Sequence, residues 1–84
     1  MCGIAGTIGS RVPSPERAAA ALRSMARRGP DAQGSVDLPL GETRASLFHT
    51  RLSIIDLDPR ANQPFERGDL VISYNGEIYN YLEL

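Results

Sequence analysis

The chain has 84 residues, with nine basic residues that are all Arg, ten acidic residues, one His, one Cys and a formal net charge of −1. That length allows one small domain with a thin core, and a lone cysteine excludes an internal disulfide and fits a reducing, cytoplasmic setting. The near-neutral charge argues against a nucleic-acid or anionic-membrane partner, and no stretch approaches the roughly 20 apolar residues of a membrane span.

In chain order, residues 3–8 place Ile4 and Ile8 among small residues and predict a buried strand. Residues 9–13 read as a turn ending at Pro13. Ser14-Pro15-Glu16 then carries the signature of a helix start, with Ser14 as N-cap, Pro15 at the first helical position and Glu16 in the first turn. Ala18, Ala21, Leu22 and Met25 come next at spacings of three and four and form one apolar stripe, which Gly29-Pro30 terminates. Residues 28–34 read as a helix-to-strand connection, residues 35–37 as a short strand, Leu40-Gly41-Glu42 as a turn, and residues 43–49 as a strand. The apolar run Leu52-Ser53-Ile54-Ile55 predicts another strand. Residues 56–64 are polar and proline-bearing, hence a loop, and Glu66-Arg67-Gly68-Asp69 is a turn. Leu70-Val71-Ile72-Ser73-Tyr74 is the clearest strand in the chain. Asn75-Gly76 after it is a hairpin signal. Residues 77–82 then place Ile78 and Leu82 at helical spacing with no alternation, so the pattern favours strand, tight turn, helix. The last residues, Tyr81-Leu82-Glu83-Leu84, carry no cap, Gly or Pro, so a continuation beyond Leu84 is expected.

The chemistry-bearing residues are few. Removal of Met1 would leave Cys2 with a thiol and a free α-amino group on one residue, a nucleophile and its general base. The bland alternative is a cysteine packed as a small hydrophobe; a redox thiol is disfavoured because no resolving cysteine accompanies it. Asn75-Gly76 at a strand end can aim a side-chain amide and a backbone N–H at one point, which is the composition of an oxyanion hole. Arg51 can grip a carboxylate through paired hydrogen bonds. His49 reads as a packed, hydrogen-bonded residue, and with no second His or Cys there is no support for a metal site. Together these parts suit attack on an amide or ester of an amino-acid-like substrate.

Five ordered segments then carry a resemblance: Met1-Cys2-Gly3-Ile4-Ala5-Gly6; Arg28-Gly29-Pro30-Asp31 with Gly34; His49-Thr50-Arg51-Leu52-Ser53-Ile54-Ile55-Asp56; Gln63-Pro64; and Asn75-Gly76-Glu77-Ile78-Tyr79-Asn80. Over essentially its whole length the chain resembles the class II glutamine amidotransferase domain of glutamine-hydrolysing asparagine synthetases. The resemblance implies an α+β fold, the N-terminal and incomplete part of the four-layer αββα sandwich of N-terminal-nucleophile hydrolases, with residues 1–84 as a truncated domain. It implies Cys2 as nucleophile, Asn75 and Gly76 as oxyanion hole, and a glutamine pocket made by Arg51, Leu52, Ser53, Ile54, Ile55, Asn75, Gly76 and Glu77, with Arg51 on the α-carboxylate. It also implies a C-terminal ATP-pyrophosphatase synthetase domain that uses ATP and Mg to amidate aspartate, with no cofactor in this segment. Arg27 stands where the family usually has His. The alternatives are a non-catalytic remnant or interaction module, and the same glutaminase site serving another ammonia acceptor. The isolated 84 residues are expected to be marginally stable and nearly inactive, because open strand edges and apolar faces are left uncovered.

Overall fold

The computed structural model describes all 84 residues. It is an α+β arrangement in which strand β3, Thr43–Arg51, lies between β1, Gly3–Gly9, and β2, Ala32–Leu40, in one antiparallel sheet. The register pairs Gly3 with Thr50 and Ile4 with His49 on one side of β3, and Gly34 with His49 and Val36 with Leu47 on the other. A second antiparallel sheet has two strands, β4 at Phe65–Arg67 and β5 at Leu70–Ile72. Both hairpins turn on a glycine with positive φ, Gly41 at 61° and Gly68 at 58°, each the first residue of a two-residue loop, where a side chain would be strained.

Helix α1, Pro15–Met25, begins where the sequence places it, with the Arg17 N–H donating to Ser14 Oγ at 3.3 Å. Its half-buried residues include Ala18, Ala21, Leu22 and Met25, the predicted stripe. The helix covers the sheet face that carries Gly3, Phe48 and Thr50, and the Thr50 hydroxyl donates to the Met25 carbonyl at 3.1 Å. The opposite face carries His49 and Arg51 and is crossed by residues 52–74. The core is thin and unusually polar: Ala45 and Phe48 are its buried apolar side chains, beside buried Ser46, His49, Thr50 and Arg51. Ser46 is satisfied by donating to Asp37 at 2.5 Å. No helix is long and apolar enough to cross a membrane.

Several expectations are corrected. Residues 3–8 form a strand, but it is not buried: Ile4 and Ile8 are 50% and 75% exposed, because the helix covers only the face that carries Gly3. Glu66 and Arg67, expected in a turn, pair as part of β4, and the turn is Gly68-Asp69 alone. Leu52-Ser53-Ile54-Ile55 is not a strand but an irregular segment with Ile54 and Ile55 exposed. The backbone groups that a ladder would use are drawn elsewhere: the Ser53 N–H goes to the Asp31 carboxylate at 2.7 Å and the Ile55 carbonyl to Arg51. The helix expected after Asn75-Gly76 is also absent. Residues 79–83 form turns closed by i→i−3 bonds, Tyr81 N–H to Ile78 and Glu83 N–H to Asn80. Ile78, Tyr81 and Leu82 all stay exposed, so the spacing buries no face, and short helices depend on such burial. The strand expected over residues 70–74 ends at Ile72.

Gly29 is buried, and a Cβ added there would overlap the Thr50 backbone near the end of β3. Gly29→Ala is therefore expected to lower stability by about 1–3 kcal/mol, read as a drop in the urea unfolding midpoint. Gly9→Ala meets nothing within 4 Å and serves as the control without effect.

Candidate active site

Cys2 lies just before β1, half-buried, and its Sγ accepts the Leu52 N–H at 3.4 Å, with the Leu52 carbonyl 4.0 Å away. The Arg28 Nε–H donates to the Cys2 carbonyl at 3.0 Å. Asp31 closes the same corner from below: its N–H donates to the Arg51 carbonyl at 2.9 Å while its carboxylate accepts the Ser53 N–H. The Arg28-Gly29-Pro30-Asp31 stretch, expected to be a plain connection, is thus the seat on which the Cys2 backbone and the 51–53 corner rest. Met1 projects into solvent, 66% exposed.

Arg51 is buried and its terminal nitrogens are already spoken for. Nη1 donates to the Asp58 carbonyl at 3.1 Å and to Asn62 Oδ1 at 2.8 Å, and Nη2 donates to the carbonyls of Ile55 and Asp56. The guanidinium therefore gathers residues 55–62 around itself, and no free fork faces solvent in this conformation. Asp56, at φ 54°, sits at the bend of that loop. Its carboxyl is held below its ordinary value of 3.8 by the hydrogen bond from Arg60 and then by the Asp58 N–H.

Asn75 and Gly76 are reached through Tyr74. His49, wholly buried on β3, has Nε2 at 3.1 Å from the Tyr74 carbonyl, an acceptor only, so Nε2 carries the hydrogen. Burial lowers the pKa of His49 from its ordinary 6.5, with the Tyr74 contact opposing and the Arg51 charge adding to the depression, so the ring is neutral. Because His49 and Arg51 are two apart on β3, they share a face and stand about 7 Å apart along the strand. The Asn75-Gly76 corner is thereby tethered to the face on which Arg51 and Leu52 hold the loop beside Cys2. No direct hydrogen bond joins Asn75 or Gly76 to Cys2. Glu77 is exposed, and its carbonyl accepts the Tyr74 hydroxyl at 3.3 Å. A surface pocket of about 660 Å³ lies away from these residues, against Thr7, Arg11, Ser14, Arg17 and Phe48.

The sequence matches the family model of the glutamine amidotransferase domain over residues 1–84. The chain belongs to the glutamine amidotransferase domain family. Among its relatives, a putative glutamine-hydrolyzing asparagine synthetase 2 of Methanocaldococcus jannaschii is 36% identical, covering 100% of this chain and 20% of that protein. A glutamine-hydrolyzing asparagine synthetase 2 of Bacillus subtilis is 44% identical, covering 100% of this chain and 12% of that protein. The amidase chry2 of Gibberella zeae is 38% identical over 96% of this chain and 14% of its own length. The chain thus spans between 12% and 20% of the length of these relatives. No solved structure matches it.

This geometry has two measurable outcomes. Arg51→Lys cannot reproduce a planar fork over these acceptors. It is expected to cost on the order of 2 kcal/mol and to make residues 55–62 newly sensitive to limited proteolysis. His49 is neutral when folded and has its ordinary value when unfolded, so its contribution to stability is complete above pH 6.5 and is lost as pH falls through the interval below. Urea midpoints compared between about pH 7.5 and pH 5.5 should fall more for the wild type than for His49→Gln.

Proposed function

We propose that the chain carries the nucleophile end of a glutaminase site. The observation that carries this reading is the setting of Cys2: one residue behind an exposed Met1, with Sγ held against Leu52, at the end of a sheet to which the Asn75-Gly76 corner is tethered. Removal of Met1 frees the Cys2 α-amino group, which takes the thiol proton as Sγ attacks the side-chain amide carbon of glutamine. The Asn75 side-chain amide and the Gly76 N–H would hold the resulting oxyanion, a contribution of roughly 3 kcal/mol per donor. The carbon–nitrogen bond then breaks, the α-ammonium returns its proton to the departing ammonia, and a thioester remains on Cys2. Water, deprotonated by the same amine, attacks the thioester and releases glutamate and the thiol.

Leu52, Ser53, Ile54, Ile55 and the Asn75-Gly76-Glu77 stretch would line the glutamine pocket. Arg51 would take the α-carboxylate as the loop carbonyls yield its terminal N–H groups, so substrate binding and loop rearrangement go together. The sheet and helix described here form one part of an αββα sandwich whose second sheet is supplied outside these residues. Ammonia passes to a synthetase domain that uses ATP and Mg, held outside residues 1–84, to amidate aspartate in the cytoplasm. The Gibberella zeae relative, named an amidase, favours a second reading, in which the same site serves another ammonia acceptor or none.

The test is labelling of the full-length protein with diazo-oxo-norleucine, a glutamine-like electrophile. Label confined to Cys2, lost in Cys2→Ala and absent when Met1 is retained, is the expected result; no label overturns the glutaminase reading and leaves a non-catalytic module. Aspartate- and ATP-dependent asparagine formation separates the two acceptor readings. The 84 residues alone are expected to show little glutamine turnover.

A further inference from the structure

We propose that His49 and Gln63 are positioning residues that lock the Asn75-Gly76 corner by gripping the Tyr74 backbone from both sides. This role rests on the glutaminase reading and deepens it. After β5 ends at Ile72, the chain leaves its ladder, and no backbone–backbone bond outside the helices and strands touches residues 73–77. The corner is held instead by two side chains. Gln63 Oε1 accepts the Tyr74 N–H at 2.6 Å, and His49 Nε2–H donates to the Tyr74 carbonyl at 3.1 Å. The carbonyl lies in the same rigid peptide plane as the Asn75 N–H, so gripping it orients Asn75 as well.

Both grips are anchored on one rung of the sheet. His49 and Gly34 are register partners on β3 and β2. His49 is wholly buried, which fixes its ring. Gly34 receives Gln63: a Cβ added at Gly34 would overlap the Gln63 carbonyl and come within 3.2 Å of Pro64 Cδ. Gly34, His49 and the Gln63-Pro64 pair are therefore one device, in which the missing side chain of Gly34 lets the Gln63 segment settle onto the rung beside the His49 ring. Tyr74 completes it, with its hydroxyl donating to the Glu77 carbonyl across Gly76.

Oxyanion donors act only when they stand within hydrogen-bond distance of a charge that develops in the transition state, and a misplacement of about 1 Å can cost about 100-fold in rate. Gln63 is the better probe because it is half-buried and outside the sheet. In the full-length protein, Gln63→Leu is expected to lower kcat for glutamine hydrolysis about 10- to 100-fold while KM changes less than about threefold. The unfolding midpoint stays near that of the wild type, and amide exchange at Tyr74 and Asn75 accelerates. Gln63→Glu, which keeps an acceptor for the Tyr74 N–H, recovers most of the rate, and His49→Gln recovers rate relative to His49→Leu by restoring a donor. Unchanged kcat in Gln63→Leu overturns the proposal, as does a Gln63→Glu enzyme as slow as Gln63→Leu at equal stability. A wild-type protein that neither hydrolyses glutamine nor takes the Cys2 label overturns the underlying reading itself, and is recognised before any variant is compared.

Discussion

The structure depends on what is done with one buried cation. Arg51 ends the central strand with its charge out of water, and a buried charge is tolerated only when its hydrogen-bonding capacity is met. No carboxylate meets it; three backbone carbonyls and the Asn62 amide do. Because those oxygens belong to residues 55–62, satisfying the guanidinium dictates the path of the loop. Leu52, the next residue in the chain after Arg51, donates its N–H to Cys2 Sγ. None of the Arg51 acceptors titrates near neutrality, so this fastening is indifferent to proton concentration over the range in which the neighbouring His49 is sensitive.

β3 plays a double role. It is the middle strand of the sheet, and its buried residues Ser46, His49, Thr50 and Arg51 are each committed to a partner on another element. With only Ala45 and Phe48 as buried apolar side chains, the geometry of this core is fixed by paired polar groups. That arrangement suits a scaffold whose task is to hold short segments in register. Leu57, Leu70, Tyr79 and Leu82 meanwhile are largely exposed to water.

Much of the fold is legible in the sequence where the signal is local. Ser14, Pro15 and the apolar stripe fix α1, and the glycines of both hairpins mark their turns. β2 runs longer than its expected residues 35–37 because Ala32, Gly34, Val36 and Leu38 alternate half-buried with exposed neighbours, a weak period interrupted by a glycine. The irregular course of Leu52-Ser53-Ile54-Ile55 was not legible, since it is imposed by Asp31 and Arg51 across the chain and overrides a strand-like composition. The site divides in the same way. The types of candidate reactive group, Cys2 and the Asn75-Gly76 pair, can be read from residue chemistry. The contacts that seat them, Arg28 on the Cys2 carbonyl and Gln63 and His49 on Tyr74, join residues 11 to 26 positions apart and exist only once the chain is folded.

The boundary between solvent and packed sheet falls inside the first three residues. Met1 stands in water, whereas Gly3 is enclosed between Met25 and Thr50. Trimming the initiator would disturb no packed side chain and break no strand pairing, since the ladder begins at Gly3. A peptidase acting on the emerging polypeptide or on the finished domain would meet the same exposed Met1, with the sheet beginning two residues further on.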